Sequence, residues 1–446
     1  MRTTMMRAMK TACLLVLLVP AGADAASHLH SWQLENGLRI LFIADHKAPV
    51  VTVQVFFHAG SKDEPANKRG MAHMFEHMMF KGSVHVRPEE HAHFISAVGG
   101  QDNAFTTDDL TAYHNTVPPS ALEFTLQLEA ERMRNLLLTQ KTIDSEREVV
   151  KEELRLRLEN NPIMQGLDKV LHLAYTVHPY RQSAIGEKAM LETVTISDCQ
   201  KFYDAYYRPN NATLIVVGDT DEMTLRRLTE KYFAPLARGQ DPSRTHIVEP
   251  PQDEKRSANL SLSVQLPVMI GAYHIANGAN DDRYALEVLQ QILSGGESSR
   301  LYSRLVRKDK TAVAAGGFVF DHEDPGLFLI YAAYLPSSDA VRVEAALQEE
   351  IARTRHYLVD AHELTKARNQ LAAQAVFRRE RVADVATQLG TDGLVAHNFE
   401  RGFSGDRKYD AVTAEDITRV AQKYLLDSNE SFVTLVPQSK NQPGAK

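Results

Sequence analysis

The stretch Met71-Ala72-His73-Met74-Phe75-Glu76-His77-Met78-Met79-Phe80 is apolar on almost every side of a helix, yet carries three ionisable residues at its middle. A helix hydrophobic all round is normally buried, so any fold of this chain must bring partners to His73, Glu76 and His77. Leaving such groups buried and unpaired costs roughly a few kcal/mol each. His73 and His77 stand at i and i+4 and project their imidazoles from one helix face. That suits two of the three protein ligands of a tetrahedral zinc with one open position. Glu76, on the neighbouring turn, is placed to take a proton from water at such a metal without being a ligand. The order H-x-x-E-H inverts the commoner H-E-x-x-H motif. In a chain with 18 histidines, the alternative is a chance pair on a solvated face; the apolar surroundings favour the metal. Gly82 is placed to end the helix.

A third ligand has to come from elsewhere, and a carboxylate suits the set. In Ile143-Asp144-Ser145-Glu146-Arg147-Glu148-Val149-Val150-Lys151-Glu152-Glu153-Leu154, helical period puts Glu146, Val149, Val150, Glu153 and Arg157 on one stripe. Carboxylates sharing a stripe with two valines are costly unless paired. Glu153 is therefore the ligand candidate, and Glu146 a carboxylate able to orient a ligating histidine from behind. Glu148, Lys151, Glu152 and Arg155 fall on the polar side, and Glu152 reads as one of its solvated ion-pair partners. The same bland role stays open for Glu153, with the periodicity favouring the ligand.

With these residues placed, the chain resembles the inverzincin zinc metallopeptidases: pitrilysin, insulin-degrading enzyme and mitochondrial processing peptidase, in the short two-domain form. The likeness extends over nearly the whole chain after residue 25. Phe57-His58-Ala59-Gly60-Ser61-Lys62-Asp63-Glu64-Pro65 matches the strand and loop before the zinc helix, and Gly70 to Gly82 the helix itself. Ser145 to Glu153 matches the second ligand helix. Asn103-Ala104-Phe105-Thr106, His178-Pro179-Tyr180 with Ile185-Gly186, Tyr207-Arg208-Pro209-Asn210-Asn211 and Ser298-Ser299-Arg300-Leu301-Tyr302 recur in the expected order. The resemblance implies a zinc-dependent endopeptidase acting on short or unfolded peptides. One Zn2+ per chain would be held by His73, His77 and Glu153, with Glu76 as the catalytic general base. It also implies that Asn103, Ala104 and Phe105 lie on an edge strand that pairs with extended substrate by β-augmentation; for Phe105 plain core packing is the alternative. A noncatalytic peptide-binding or assembly subunit is the alternative function, because the resemblance extends to such subunits.

The chain divides into similar halves. Strand-like Leu38–Ile43, Val50–Phe57 and Ala212–Asp219 frame the first, with a helix around Met223 to Tyr232. Strand-like Leu260–Leu266, Gly271–Ile275 and Ser431–Val436 frame the second, and a polar stretch with Pro242, Pro250 and Pro251 reads as a linker. Strands followed by long helices indicate an α+β fold. The expected organisation is a catalytic half at 26–236, a linker at 237–258, and a homologous half without metal at 259–446. Each half is expected to be a mainly antiparallel sheet with helices packed on one face, the two enclosing a chamber as the resemblance implies. The second half has no H-x-x-E-H, and His274 and His322 read as ordinary core or surface histidines.

One departure bears on partners. Self-sufficient relatives often carry, in the second domain, an arginine and a tyrosine that support the developing oxyanion. Here Val306 and Val313 hold those places, and Arg307 stands one position off, about 100° round a helix. Losing an oxyanion donor costs about 10²–10³ in rate. The expectation is a heterodimer in which a homologous subunit supplies the Arg/Tyr pair; a homodimer is the alternative.

Composition adds boundaries. Hydrophobic residues at 43% and charged residues at 24% are ordinary for a globular protein, and 446 residues suggest more than one domain. A formal charge of −7 without a dominant basic patch argues against nucleic acid. Arg2, Arg7 and Lys10, then apolar Ala12 to Val19, then Ala23-Asp24-Ala25 read as a signal peptide cleaved after Ala25. The apolar run is too short for a stable membrane span. Periplasmic export is the expected address. Of the two cysteines, Cys13 leaves with the leader, so Cys199 has no intrachain partner.

Overall fold

Val51–Phe57 and Ala212–Gly218 are runs in which every residue is buried. Strands buried along their whole length need cover on both faces of a sheet, and both faces are covered here. The chain is seen in a computed structural model that describes residues 29–438, so the expected leader at 1–25 lies outside the described residues.

The first sheet comprises β1 (His30–Gln33), β2 (Arg39–Ala44), β3 (Val51–Phe57), β4 (Gln101–Thr106), β5 (Thr111–Val117) and β6 (Ala212–Gly218). Their order is β1-β2-β6-β3-β5-β4, with β2 and β6 parallel and the other neighbours antiparallel. The second comprises β7 (Arg256–Leu262), β8 (Val268–His274), β9 (Ala312–Phe320), β10 (Leu327–Tyr334) and β11 (Glu430–Pro437), in the order β7-β11-β8-β10-β9. Here β7 and β11 are parallel and the rest antiparallel. Strand for strand, β2 to β6 and β7 to β11 have the same order and sense, so the repeat is one of topology. The fold is α+β with two mainly antiparallel sheets.

Alternation along the strands sends side chains to opposite faces. Phe42, Val53, Val55 and Phe57 pack into a core with Met71–Met78 and the other helices of their own half. On the opposite face, Leu41, Ile43, Phe56, Ile215 and Val217 pack against Ala386, Leu389 and Val395, from helix Val382–Val395 of the second half. The second sheet mirrors this. Tyr273, Phe328, Ile330 and Phe432 face helices of their own half, whereas Ile270, Leu329, Val433 and Leu435 lie with Val170 and Ala174 of helix Pro162–Ala174 from the first half. Each half thus supplies helices to one face of its own sheet, as expected, and lends one helix to the outer face of the other.

The stretch expected as a linker is irregular up to Glu254, but β7 begins inside it at Arg256 and ends at Leu262, before the expected strand end at Leu266. Its register on β11, from Arg256 opposite Ser431 to Leu262 opposite Pro437, sets those limits. The stretch is also pinned: the Glu249 carboxylate accepts from the backbone N–H groups of Thr176, Val177 and His178, and Arg244 pairs with Asp63. Among the described residues no helix is long and apolar enough to cross a membrane.

Candidate metal centre

The helix Met71–Met78 starts from Gly70, a glycine at a left-handed φ of 93° with no side chain to cap the helix. Glu64 takes that part: its carboxylate accepts from Gly70 N at 2.9 Å and Ala72 N at 2.6 Å. From this start the helix buries Met71, Met74, Phe75 and Met78 and turns His73, Glu76 and His77 toward the carboxylate helix Gln140–Leu154 and toward β4. Spacing alone gave Glu64 no role.

His73, His77 and Glu153 each offer a ligand atom, and these atoms all lie within 4.8 Å of one another. His77 Nε2 is 3.2 Å from Glu153 Oε2, and His73 Nε2 is 3.8 Å from Glu153 Oε1. Donors at the usual zinc bond length and tetrahedral angle stand roughly 3.3 Å apart, so the spacing fits one ion. The chemistry of the donors fits as well. His73 is buried, its Nδ1 has no hydrogen-bond partner, and burial, then His77 and Arg157, lower its pKa to about 3. It is therefore neutral, the form that ligates a metal.

Glu146 lies behind His77. It is buried, with Oε2 3.7 Å from His77 Nδ1 and Oε1 3.3 Å from Lys81 Nζ. Burial lowers the pKa of His77, but Glu146, Glu153 and Glu76 outweigh it and leave the imidazole raised. Glu152 is exposed and paired with Arg155, as expected. Val149 departs from the expected stripe. The buried side of the helix is Ile143, Glu146, Val150 and Leu154, whereas Val149 is exposed and Glu153 sits at the boundary. The helix turns about 100° per residue, so a one-sided packing surface takes in Glu146 and Val150 and leaves out Val149.

Glu76 is held from the other side. Thr106 Oγ1 donates to Glu76 Oε2 at 2.6 Å, and burial raises the Glu76 carboxyl against the pull of that bond and of His77. Thr106 is the last residue of β4, which is the edge strand of its sheet. It follows Asn103-Ala104-Phe105 in sequence, but nothing in the spacing says that it meets Glu76. On the same strand Asn103 is exposed, Ala104 packs against the inner core, and Phe105 lies edge-on to Phe56 on the outer face.

In the second half, Val306 packs against its core, Val313 is exposed, and Arg307 pairs with Glu297 at 2.6 Å. His322 and His274 both lie where the halves meet. His322 stacks on Tyr180, and His274 Nε2 is bonded to the Ala174 carbonyl at 2.8 Å.

Residues 39–187 match the family model described as Insulinase (Peptidase family M16), and residues 193–371 that of the Peptidase M16 inactive domain. Zinc protease PqqE of Helicobacter pylori is 31% identical over 95% of this chain and 97% of its own length. A probable mitochondrial-processing peptidase subunit beta of Arabidopsis thaliana is 26% identical over 91% of this chain and 77% of its own. The crystal structure of a protease from Helicobacter pylori, at 30% identity, superposes with a TM-score of 0.88 over 92% of this chain and 99% of that one. The periplasmic protease PqqL from Escherichia coli shares the fold alone: TM-score 0.77 at 19% identity, over 92% of this chain and 47% of that one. With the metal-ligating residue types gathered on two helices of a duplicated fold, and with both halves matched, this chain belongs to peptidase family M16.

Proposed function

We propose that the chain is a zinc-dependent endopeptidase for short or unfolded peptides, with His73, His77 and Glu153 as ligands of one Zn2+ per chain and Glu76 as general base. The observation that carries this reading is the convergence of three ligand atoms within 4.8 Å beside a carboxylate held by Thr106. Bound zinc supplies Lewis acidity and lowers the pKa of water toward about 7. Glu76 accepts the proton of the attacking water and returns it to the leaving amine. Glu146 orients the His77 ring, and the edge of β4, at Asn103, Ala104 and Phe105, takes an extended peptide through main-chain hydrogen bonds.

The residues divide as a leader at 1–25, a catalytic half at 26–236, a linker at 237–258 and a non-metal half at 259–446. The leader supports periplasmic export. The valines at 306 and 313 support a heterodimer in which a homologous subunit supplies the Arg/Tyr pair, with a homodimer as the alternative. A second reading, a noncatalytic peptide-binding or assembly subunit, is favoured by those same valines; the intact ligand set and the poised Glu76 weigh against it.

Two measurements test the proposal. Elemental analysis should give one zinc per wild-type chain, none in Glu153→Gln and one in Glu152→Gln; the reverse pattern would overturn the ligand assignment. An unstructured peptide should be cleaved in a chelator-sensitive way by the chain, alone or with a homologous subunit. Full activity from the isolated chain, unchanged by any partner, would rule out the heterodimer.

A further inference from the structure

A carboxylate that ligates a metal has two oxygens, and what holds them decides how the group is turned. Glu153 Oε2 is its closest atom to the histidines, 3.2 Å from His77 Nε2. Oε1, 3.8 Å from His73 Nε2, is also held by Arg157, whose Nη2 lies 2.7 Å away. Arg157 stands one turn further along the chain, in a π-helical segment, Arg155–Glu159, that continues the carboxylate helix. Its side chain is 71% exposed, and Glu153 is its one ion-pair partner among the described residues. The segment is anchored at both ends, by Leu154 in the first core and by helix Pro162–Ala174, which lies on the second sheet. An exposed arginine is thus delivered to a fixed place, and π-helical turns of this kind are frequent at functional sites.

The geometry points to Arg157 as a positioning residue for Glu153. By holding Oε1 it keeps the carboxylate turned toward the two imidazoles before metal arrives. A plain surface ion pair and a clamp on a ligand make opposite demands. An exposed pair adds little to folding stability, whereas losing the partner of a metal ligand costs about 10–100-fold in metal affinity. Arginine and lysine should also differ, because the planar fork fixes a carboxylate better than a point charge does.

This inference rests on the metal assignment above, so the test reads both. Zinc affinity is measured on the full chain by competition with a chromophoric chelator, for wild type, Arg157→Met and Arg157→Lys. Thermal melting of the metal-free proteins and the ligand-field spectrum of Co2+ bound to each are recorded alongside. The expected result is a loss of about 10–100-fold in zinc affinity for Arg157→Met, with partial recovery in Arg157→Lys. The Co2+ spectrum of Arg157→Met should change, and metal-free melting should not. Equal zinc affinity in wild type and Arg157→Met overturns the clamp while leaving the metal site standing. A large fall in metal-free melting would make Arg157 structural and overturns it too. A wild-type chain that binds no zinc overturns the metal assignment itself.

Discussion

At the candidate metal centre, the proposed chemistry depends on keeping two similar groups apart in role. Glu153 and Glu76 are both carboxylates near His77, but Glu153 faces both imidazoles and Arg157, whereas Glu76 is turned to β4 by the Thr106 hydroxyl. Glu76→Gln should therefore retain zinc and fold while losing about 10²–10⁴ in turnover, because an amide cannot accept the proton. Metal content and kcat measured on one preparation check this. Thr106→Val is a finer probe. It keeps shape but removes a hydrogen bond to a charged group, a loss of about 1.5–3 kcal/mol in its effect on Glu76. Turnover should drop roughly tenfold or more with zinc content unchanged; wild-type kcat in Thr106→Val would mean that Glu76 needs no such holder.

The elements that join the halves are the two lent helices, and each carries a glycine where it crosses the other half's sheet. A Cβ at Gly390 would lie 2.4 Å from the buried ring of Phe56 on β3. A Cβ at Gly166 would lie 2.8 Å from the methyls of Leu435 on β11. Both glycines are helical, so alanine would gain up to about 1 kcal/mol in propensity, against about 1–3 kcal/mol for overpacking. Both side chains are fully buried, but the leucine methyls are the far end of a flexible side chain at 2.8 Å, whereas the rigid phenylalanine ring at 2.4 Å has further to move. Gly390→Ala should thus destabilise the protein by about 1–2 kcal/mol, and Gly166→Ala by clearly less. Urea denaturation of both variants gives the order, and a Gly166→Ala variant less stable than Gly390→Ala would contradict this account of the crossings.

Across the whole molecule, the halves are also tied by a buried charged junction. Lys62 Nζ lies 2.8 Å from Asp109 in the first half and 2.5 Å from Glu323 in the second, and His58 Nε2 is 2.7 Å from Glu323. The Glu323 backbone N–H donates back to Asp109 at 3.0 Å. Burial raises the Glu323 carboxyl, but the hydrogen bond and charge of His58 and the charge of Lys62 outweigh it and bring it down to about 2. A carboxylate depressed in the fold contributes stability above its unfolded pKa of about 4.3, and that contribution fades as pH falls toward 2. Glu323→Gln should be less stable than wild type at neutral pH by on the order of 2 kcal/mol, and the gap should close between about pH 4.5 and 2.5. Denaturant midpoints across that range measure it, and a gap independent of pH would remove Glu323 from the junction's ionic balance.

Local sequence determined much of this. Three ionisable residues in an apolar helix demanded partners, and helical period set Glu146 and Val150 on one side of the carboxylate helix and Glu152 on the other; both patterns are short-range, with each residue's environment set within a turn or two. Strands followed by helices announced two sheets, because alternation and apolar runs are likewise local. Tertiary structure alone decided the rest. Thr106 meets Glu76, Glu64 caps the helix Met71–Met78, and Val382–Val395 and Pro162–Ala174 cross to the opposite sheets. Apolar surface has no address: a buried helix face records that it needs a partner, but not which sheet will provide one. The stretch before β7 carried the same ambiguity, since prolines and polar residues marked it as irregular without showing that Glu249 and Arg244 would pin it to the first half. Those contacts join residues far apart in sequence, and only the closed chain brings them together.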